Sequence, residues 1–113
     1  MKFKKRIFSA IIFTLILAGV AFGLGDSEYK QMKKSSRAFR EADNFMNECY
    51  KECRDTLPRS EFLKVQSEQR EWIKSGRDEE AQCFIADSMN RTEAYTKVTE
   101  MRADDLHHIC VIY

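Results

Sequence analysis

The sequence predicts an all-α fold: an up-down bundle of three helices, or four if the first is broken, closed by disulfides. Three observations predict it. Glycine and proline nearly vanish after Gly25, leaving only Pro58 and Gly76 to interrupt the chain. No Val/Ile/Thr-rich run alternates apolar with polar residues, so a sheet has no sequence to build from. The apolar residues that remain recur at intervals of three and four, the period of a helix with one buried face.

The start of the chain reads differently. Lys2, Lys4, Lys5 and Arg6 make a basic opening, and Ile7 to Val20 is almost wholly apolar. Ala21-Phe22-Gly23 then places small residues at the −3 and −1 positions of a cleavage site. Residues 1–23 are expected to be a signal peptide and 24–113 a single helical domain, periplasmic or secreted; cleavage after Ala21 is the other register. An uncleaved anchor is the alternative, because the apolar run approaches the length that spans a bilayer. Membrane contact is expected only through that leader.

Four of the 19 basic residues lie in the leader, leaving 15 against 18 acidic ones from residue 24 onward, a net charge of −3. Mixed signs at this density make a solvated surface and not the clustered basic face that nucleic acid requires. A mildly acidic exported protein is attracted to cationic proteins.

The first helix is expected from Asp26 or Ser27, either of which can cap it, to about Asp55, with Ser35-Ser36 as its weak point. Phe39, Ala42, Phe45, Met46, Cys49, Tyr50, Cys53 and Leu57 form its core stripe. Leu57-Pro58 ends it, since a residue before proline avoids the helical region. Ser60 is expected to cap the second helix. That helix holds the only tryptophan, and Phe62, Val65, Trp72 and Ile73, with the stems of Gln66 and Gln69, form its apolar stripe. Gly76 marks a bulge, a kink, or the start of a loop reaching about Ser88. Asn90 with Glu93 resembles a capping box for the last helix, which buries Tyr95, Val98, Met101, Leu106 and Ile109.

All four cysteines, Cys49, Cys53, Cys83 and Cys110, fall in the exported domain, where an even count reads as disulfides. The separations of 30 and 27 residues that follow the Cys49/Cys53 pair lack the short paired spacings of zinc modules, so no metal is expected. In an up-down-up bundle Cys110 returns to the end that holds Cys49 and Cys53, and should bond to one of them. Cys83 lies toward the opposite end and either pairs through a bend at Gly76 or stays free.

Asp43 and Asn47, four apart, share a helix face, and Arg70 and Arg77 are long enough to reach a carboxylate on a neighbouring helix. An inter-helix clasp accounts for this polar set. The competing expectation is an exposed partner-binding patch of Arg77, Asp78, Glu79 and Glu80 beside Gly76, since loops on a rigid scaffold commonly carry binding. No Ser-His-Asp, Cys-His or paired-carboxylate arrangement stands out. Neither catalysis nor a cofactor is expected, and His107 and His108 read as cations favoured at a helix C-terminus.

These residues together resemble a known family. Ala42-Asp43, Met46-Asn47, Tyr50, Leu57-Pro58, Gln69-Arg70, Trp72-Ile73, Arg77-Asp78, Val98-Thr99 and Arg102 resemble the lysozyme inhibitor LprI-type domain family over about residues 38–106. The resemblance implies a small exported helical domain that blocks lysozyme by protein–protein contact. A protruding cation can pair with the catalytic carboxylates of a lysozyme's open groove, and Arg77 is the residue expected in that role. A non-inhibitory envelope interaction or stress module is the alternative. Two departures from the family pattern stand out. Arg77 comes five residues after Trp72 where the family has four, so either Gly76 sits in a bulge or Arg77 points elsewhere. Ala94 stands where the family places a cysteine to pair with the one after Arg-Asp; Cys49, Cys53 and Cys110 look like a local replacement.

Overall fold

The structure, a computed structural model, describes residues 23–112; the leader expected over 1–23 lies almost wholly outside the described residues. Five helical segments follow one another: α1 (Asp26–Ser35), α2 (Arg37–Thr56), α3 (Arg59–Glu71), α4 (Arg77–Ala86) and α5 (Arg91–Ile112). α3 and α4 are joined by a π-helical turn, Trp72–Gly76, whose flanking residues keep right-handed helical backbone. α3, turn and α4 therefore form one long rod, and the domain is a four-helix bundle.

The weak point at Ser35-Ser36 is a real break. Ser36 is extended (φ −115°, ψ 111°), so α1 and α2 are separate helices. Its hydroxyl accepts from the Phe39 N–H at 3.1 Å, satisfying one of the free donors at the start of α2. The other N-terminal assignments need correction. Gly25, not Asp26 or Ser27, precedes α1, and Pro58, not Ser60, precedes α3, with no side-chain cap at either. At α3 the Pro58 carbonyl accepts from the N–H groups of Glu61 and Phe62, and a proline preset in φ starts the helix without help from Ser60. Asn90 does cap α5, accepting from Glu93 N at 2.9 Å.

Gly76 neither breaks the helix nor opens a loop. The Arg77 N–H bonds the Trp72 carbonyl five residues back, so one residue is inserted into the helix as a π bulge. The rod then continues to Ala86 and stops in a Schellman-type end, where Met89 N bonds Phe84 O at 3.0 Å and Ser88 N bonds Ile85 O at 3.0 Å. Ser88 takes the left-handed conformation there, with φ 78°.

α2 and α5 are the central pair. Phe39, Met46 and Cys53 on α2 face Tyr95, Val98 and Leu106 on α5, all fully or almost fully buried. Ala81, Ala94 and Ala103 have no exposed surface, and their size lets α4 and α5 approach closely. Cys53 and Cys110, near the C-terminal ends of α2 and α5, form a disulfide, so the two helices run parallel and the α3–α4 rod runs back between their ends. This bears out the expected return of Cys110 to the Cys49/Cys53 end. It also corrects the expectation of a fully bonded set: Cys49 and Cys83 are free thiols. Burial pushes both thiols above their ordinary range, with nearby acidic residues adding to the effect.

Two apolar residues assigned to the core are not in it. Phe45 is 49% exposed and Ile73 is 46% exposed. Phe45 lies one residue before Met46 and is turned off the face that meets α5. Ile73 falls in the π turn, where the widened backbone aims Trp72 inward and its neighbour out. No described helix is long and apolar enough to cross a membrane.

Candidate functional site

Most of the polar residues singled out by sequence form clasps inside the bundle. The first clasp joins α1 to α2. The Asp43 carboxylate, 2% exposed, accepts from the Tyr29 hydroxyl at 2.6 Å and the Asn47 amide at 3.4 Å, and pairs with Lys33 at 3.2 Å. A buried carboxylate needs this many partners to stay charged away from water. Burial, then the bond to Asp43, pushes the Tyr29 phenol well above its ordinary range. The Tyr29 ring also meets Phe39 edge-on at 5.9 Å.

The second clasp joins the α3–α4 rod to α5 and α2. Arg102 donates to Gln69 Oε1 at 2.6 Å, and Gln69 Nε2 lies 3.7 Å from Met46 Sδ. Burial lowers the Arg102 pKa, partly offset by Glu68, Asp105 and Glu80. Trp72 Nε1 donates to Glu80 at 3.3 Å. Tyr50 packs its ring on Phe62 at 5.4 Å and ties α2 to α3. Arg70 stays exposed and takes no part in the clasp that was expected of it.

Arg77 and Asp78 belong to these clasps and not to an exposed patch. The Arg77 guanidinium lies 5.8 Å from the Tyr29 ring and 5.8 Å from the Trp72 ring, held between two π faces, and the residue is 9% exposed. The π bulge explains this position. A residue five places after Trp72 would be rotated off its face in a regular helix; the inserted residue restores the phase and brings Arg77 back over Trp72. The resemblance's alternatives are thus resolved in favour of the bulge. Asp78 accepts from the Tyr95 hydroxyl at 2.7 Å and from the Leu24 backbone N–H at 3.0 Å. Burial, then this bond, pushes the Tyr95 phenol far up. Beside it, Arg91 grips Glu28 bidentately at 2.6 and 2.9 Å and lies over the Tyr95 ring at 5.2 Å. The bond to Arg91 draws the Glu28 carboxyl below its ordinary range.

Glu79, the third member of the expected patch, is 8% exposed. Burial, with Glu80 and Asp78 adding repulsion, raises its pKa. A carboxyl whose pKa is raised in the folded state weakens the fold increasingly as pH rises above its unfolded pKa, and the penalty is complete above its folded pKa. The penalty is absent below the unfolded value of about 4.3. Glu79→Gln should therefore be more stable than the parent at pH 7, with a higher urea midpoint, and equal to it near pH 3. Urea melts at the two pH values check this; an advantage that persists at pH 3 would point to a cause other than ionisation.

The most distinctive exposed surface was missed by sequence reasoning. Phe45, Glu48, Cys49, Lys51, Glu52, Asp55 and His107 line a shallow groove of about 370 Å³ on the outer side of α2. Asp104 on α5 adds its charge near Cys49. Glu48, Glu52 and Asp55 recur at four and three residues, so the acidic stripe was legible in the spacing. Phe45 was not, because its spacing fits the core stripe equally well. His107 and His108 are exposed, and no group of three or more potential metal ligands occurs among the described residues.

Fold and sites together define a small all-α bundle, closed by one disulfide and registered by buried polar clasps. No family model matches the chain, and no curated protein or solved structure matches it either.

Proposed function

We propose that this chain is an exported, non-enzymatic binding protein that blocks a lysozyme by protein–protein contact. Three things support the reading. The motif residues of the resemblance gather largely in the clasps that register the helices, the part a structural motif should play. The domain from residue 24 carries net negative charge, which steers it toward cationic proteins such as lysozymes.

The third carries the most weight: half-exposed Phe45 is set beside Glu48, Glu52 and Asp55 on one groove. An exposed aromatic among three carboxylates, with Lys51 the one lysine in the lining, matches the make-up of a protein interface aimed at a basic partner. The contact surface is thus reassigned from Arg77 to the groove, because a guanidinium held between Tyr29 and Trp72 is not presented to a partner.

The test is a muramidase assay with oxidised protein beginning at Leu24. Inhibition is expected, and Phe45→Ala or the pair Glu48→Lys/Glu52→Lys should weaken it about tenfold or more while leaving the melting temperature nearly unchanged. Arg77→Ala should lower stability instead. Absence of inhibition at roughly tens of micromolar against several lysozyme types would overturn the proposal. Recovery of a different envelope partner through the same groove would then favour a non-inhibitory interaction module.

A further inference from the structure

The first described residues are held more firmly than a chain end needs to be. Leu24 is 7% exposed, with its side chain in the core. Its backbone nitrogen lies 3.0 Å from Asp78 Oδ1, on a carboxylate that also accepts from the Tyr95 hydroxyl at 2.7 Å. Gly23, by contrast, is exposed, and a Cβ there would collide with that same carboxylate. The boundary between an exposed small residue and a buried leucine coincides with the cleavage position expected from Ala21-Phe22-Gly23.

We infer that hydrolysis of the Gly23–Leu24 peptide bond creates a new α-ammonium at Leu24 that ion-pairs with Asp78 and locks the chain start into the bundle. In the hydrolysis, water gives its hydroxyl to the Gly23 carbonyl carbon and a proton to the departing Leu24 nitrogen, which takes a second proton from solvent at neutral pH. The cutting agent is an endopeptidase of the export machinery, so the inference rests on the export reading above. Its product replaces one amide donor by a charged group at the same place. An ammonium bonded to a carboxylate makes a charge-assisted pair, stronger than the amide bond it succeeds.

The surroundings suit a positive charge at this point. Asp78 is flanked by Glu79 and Glu80 on α4. Arg91 of α5, its positive charge offset by the Glu28 of α1 that it grips, also donates to the Gly23 carbonyl at 3.4 Å, a contact that cleavage gives up. Arg77 is the remaining nearby cation and is turned toward Tyr29 and Trp72. Tyr95 is the other titratable group at the carboxylate, and burial keeps its phenol neutral through the range in which an amine titrates. An amine stabilised in its charged form supports the fold below its unfolded pKa of about 7.7–8.0, and that support is lost as pH rises through the higher folded value.

Three chains test the inference: one beginning at Leu24 with a free amine, the same chain N-acetylated, and the free-amine chain carrying Asp78→Asn. The acetyl group takes the place of the Gly23 Cα and carbonyl, which the structure accommodates; it removes the charge and keeps the acceptor that Arg91 meets at 3.4 Å, so the comparison understates the ion pair. At pH 7 the free-amine chain should melt about 4–8 °C above the acetylated one, with the gap closing by about pH 10. Isotope-labelled Leu24 should titrate at least about one pH unit above an ordinary α-amine, and return to the ordinary value in Asp78→Asn. Equal melting temperatures at pH 7 with an ordinary amine titration would overturn the ion pair whatever happens in export.

Terminal sequencing of the chain exported by a bacterial host separates the two readings. A start at Leu24 supports the inference. A start at Phe22 overturns it and leaves export standing, whereas a retained leader overturns both the inference and cleaved export.

Discussion

Removing the Cys53–Cys110 disulfide should lower the melting temperature by roughly 10–20 °C. The bond closes a loop of 57 residues, which in the chain-entropy account restricts the unfolded state by about 4 kcal/mol. Native bonds in small domains commonly contribute about 2–5 kcal/mol, a large share of the stability of a domain this size. It also sits where it matters most, fastening the last turns of the two parallel core helices. The double variant Cys53→Ser/Cys110→Ser is the cleaner test. In Cys53→Ser alone, Cys110 lies beside Cys49, with its sulfur 3.5 Å from the Cys49 carbonyl, and a replacement bond could form. Scanning calorimetry of the double variant checks the prediction, and a change under about 3 °C would show that helix packing alone holds that end.

The second large effect concerns the helix phase at the π bulge. Inserting one alanine after Gly76 should cost more than about 3 kcal/mol, while deleting Gly76 should cost less than about 1 kcal/mol. An added residue turns α4 by about 100° relative to α3, which carries Arg77 off the Tyr29 and Trp72 rings and Asp78 away from Tyr95. Ala81, fully buried against its neighbours, would be replaced at the interface by a longer side chain. Deletion turns the π turn into an ordinary helix and puts Arg77 four residues after Trp72, still on its face. Urea unfolding of both variants gives the comparison. Equal costs for insertion and deletion would mean that the bulge does not set the register of the rod.

The helix-rich fold, the return of Cys110 and the Asn90 cap were all legible in the sequence, because each depends on local spacing. The Gly76 bulge was legible only as one of three alternatives, beside a kink and the start of a loop. Periodicity says that Arg77 is out of phase with Trp72; it does not say whether the backbone or the side chain absorbs the mismatch. Phe45 and Ile73 were misassigned for a related reason. Spacing locates the centre of an apolar stripe but not its width, and the width depends on how many neighbours cover it. The fate of Arg77 was hidden for another: a positive charge is ordinarily a surface signal, and only the meeting of Tyr29 from α1 with Trp72 from the π turn makes a buried place for it.

The candidate groove lay half in view. Glu48, Glu52 and Asp55 at spacings of four and three announce one acidic helix face. Phe45, three residues before Glu48, shares that face by the same spacing; that it stays exposed there, joined by His107 from the far end of the chain, depends on how α2 meets α5.

By itself the sequence determined that the domain is helical, where three of its helix ends fall, and that its last cysteine returns to the end that holds Cys49 and Cys53. These follow from propensities, caps and periods that act over a few residues. Only the tertiary structure decided that Cys53 and not Cys49 takes the bond, that Arg77 is buried, that Asp78 is tied to Tyr95 and Leu24, and that Phe45 is exterior. Those outcomes depend on which faces meet when separate helices pack, and burial of a given side chain is a property of its distant neighbours rather than of its own stretch of chain.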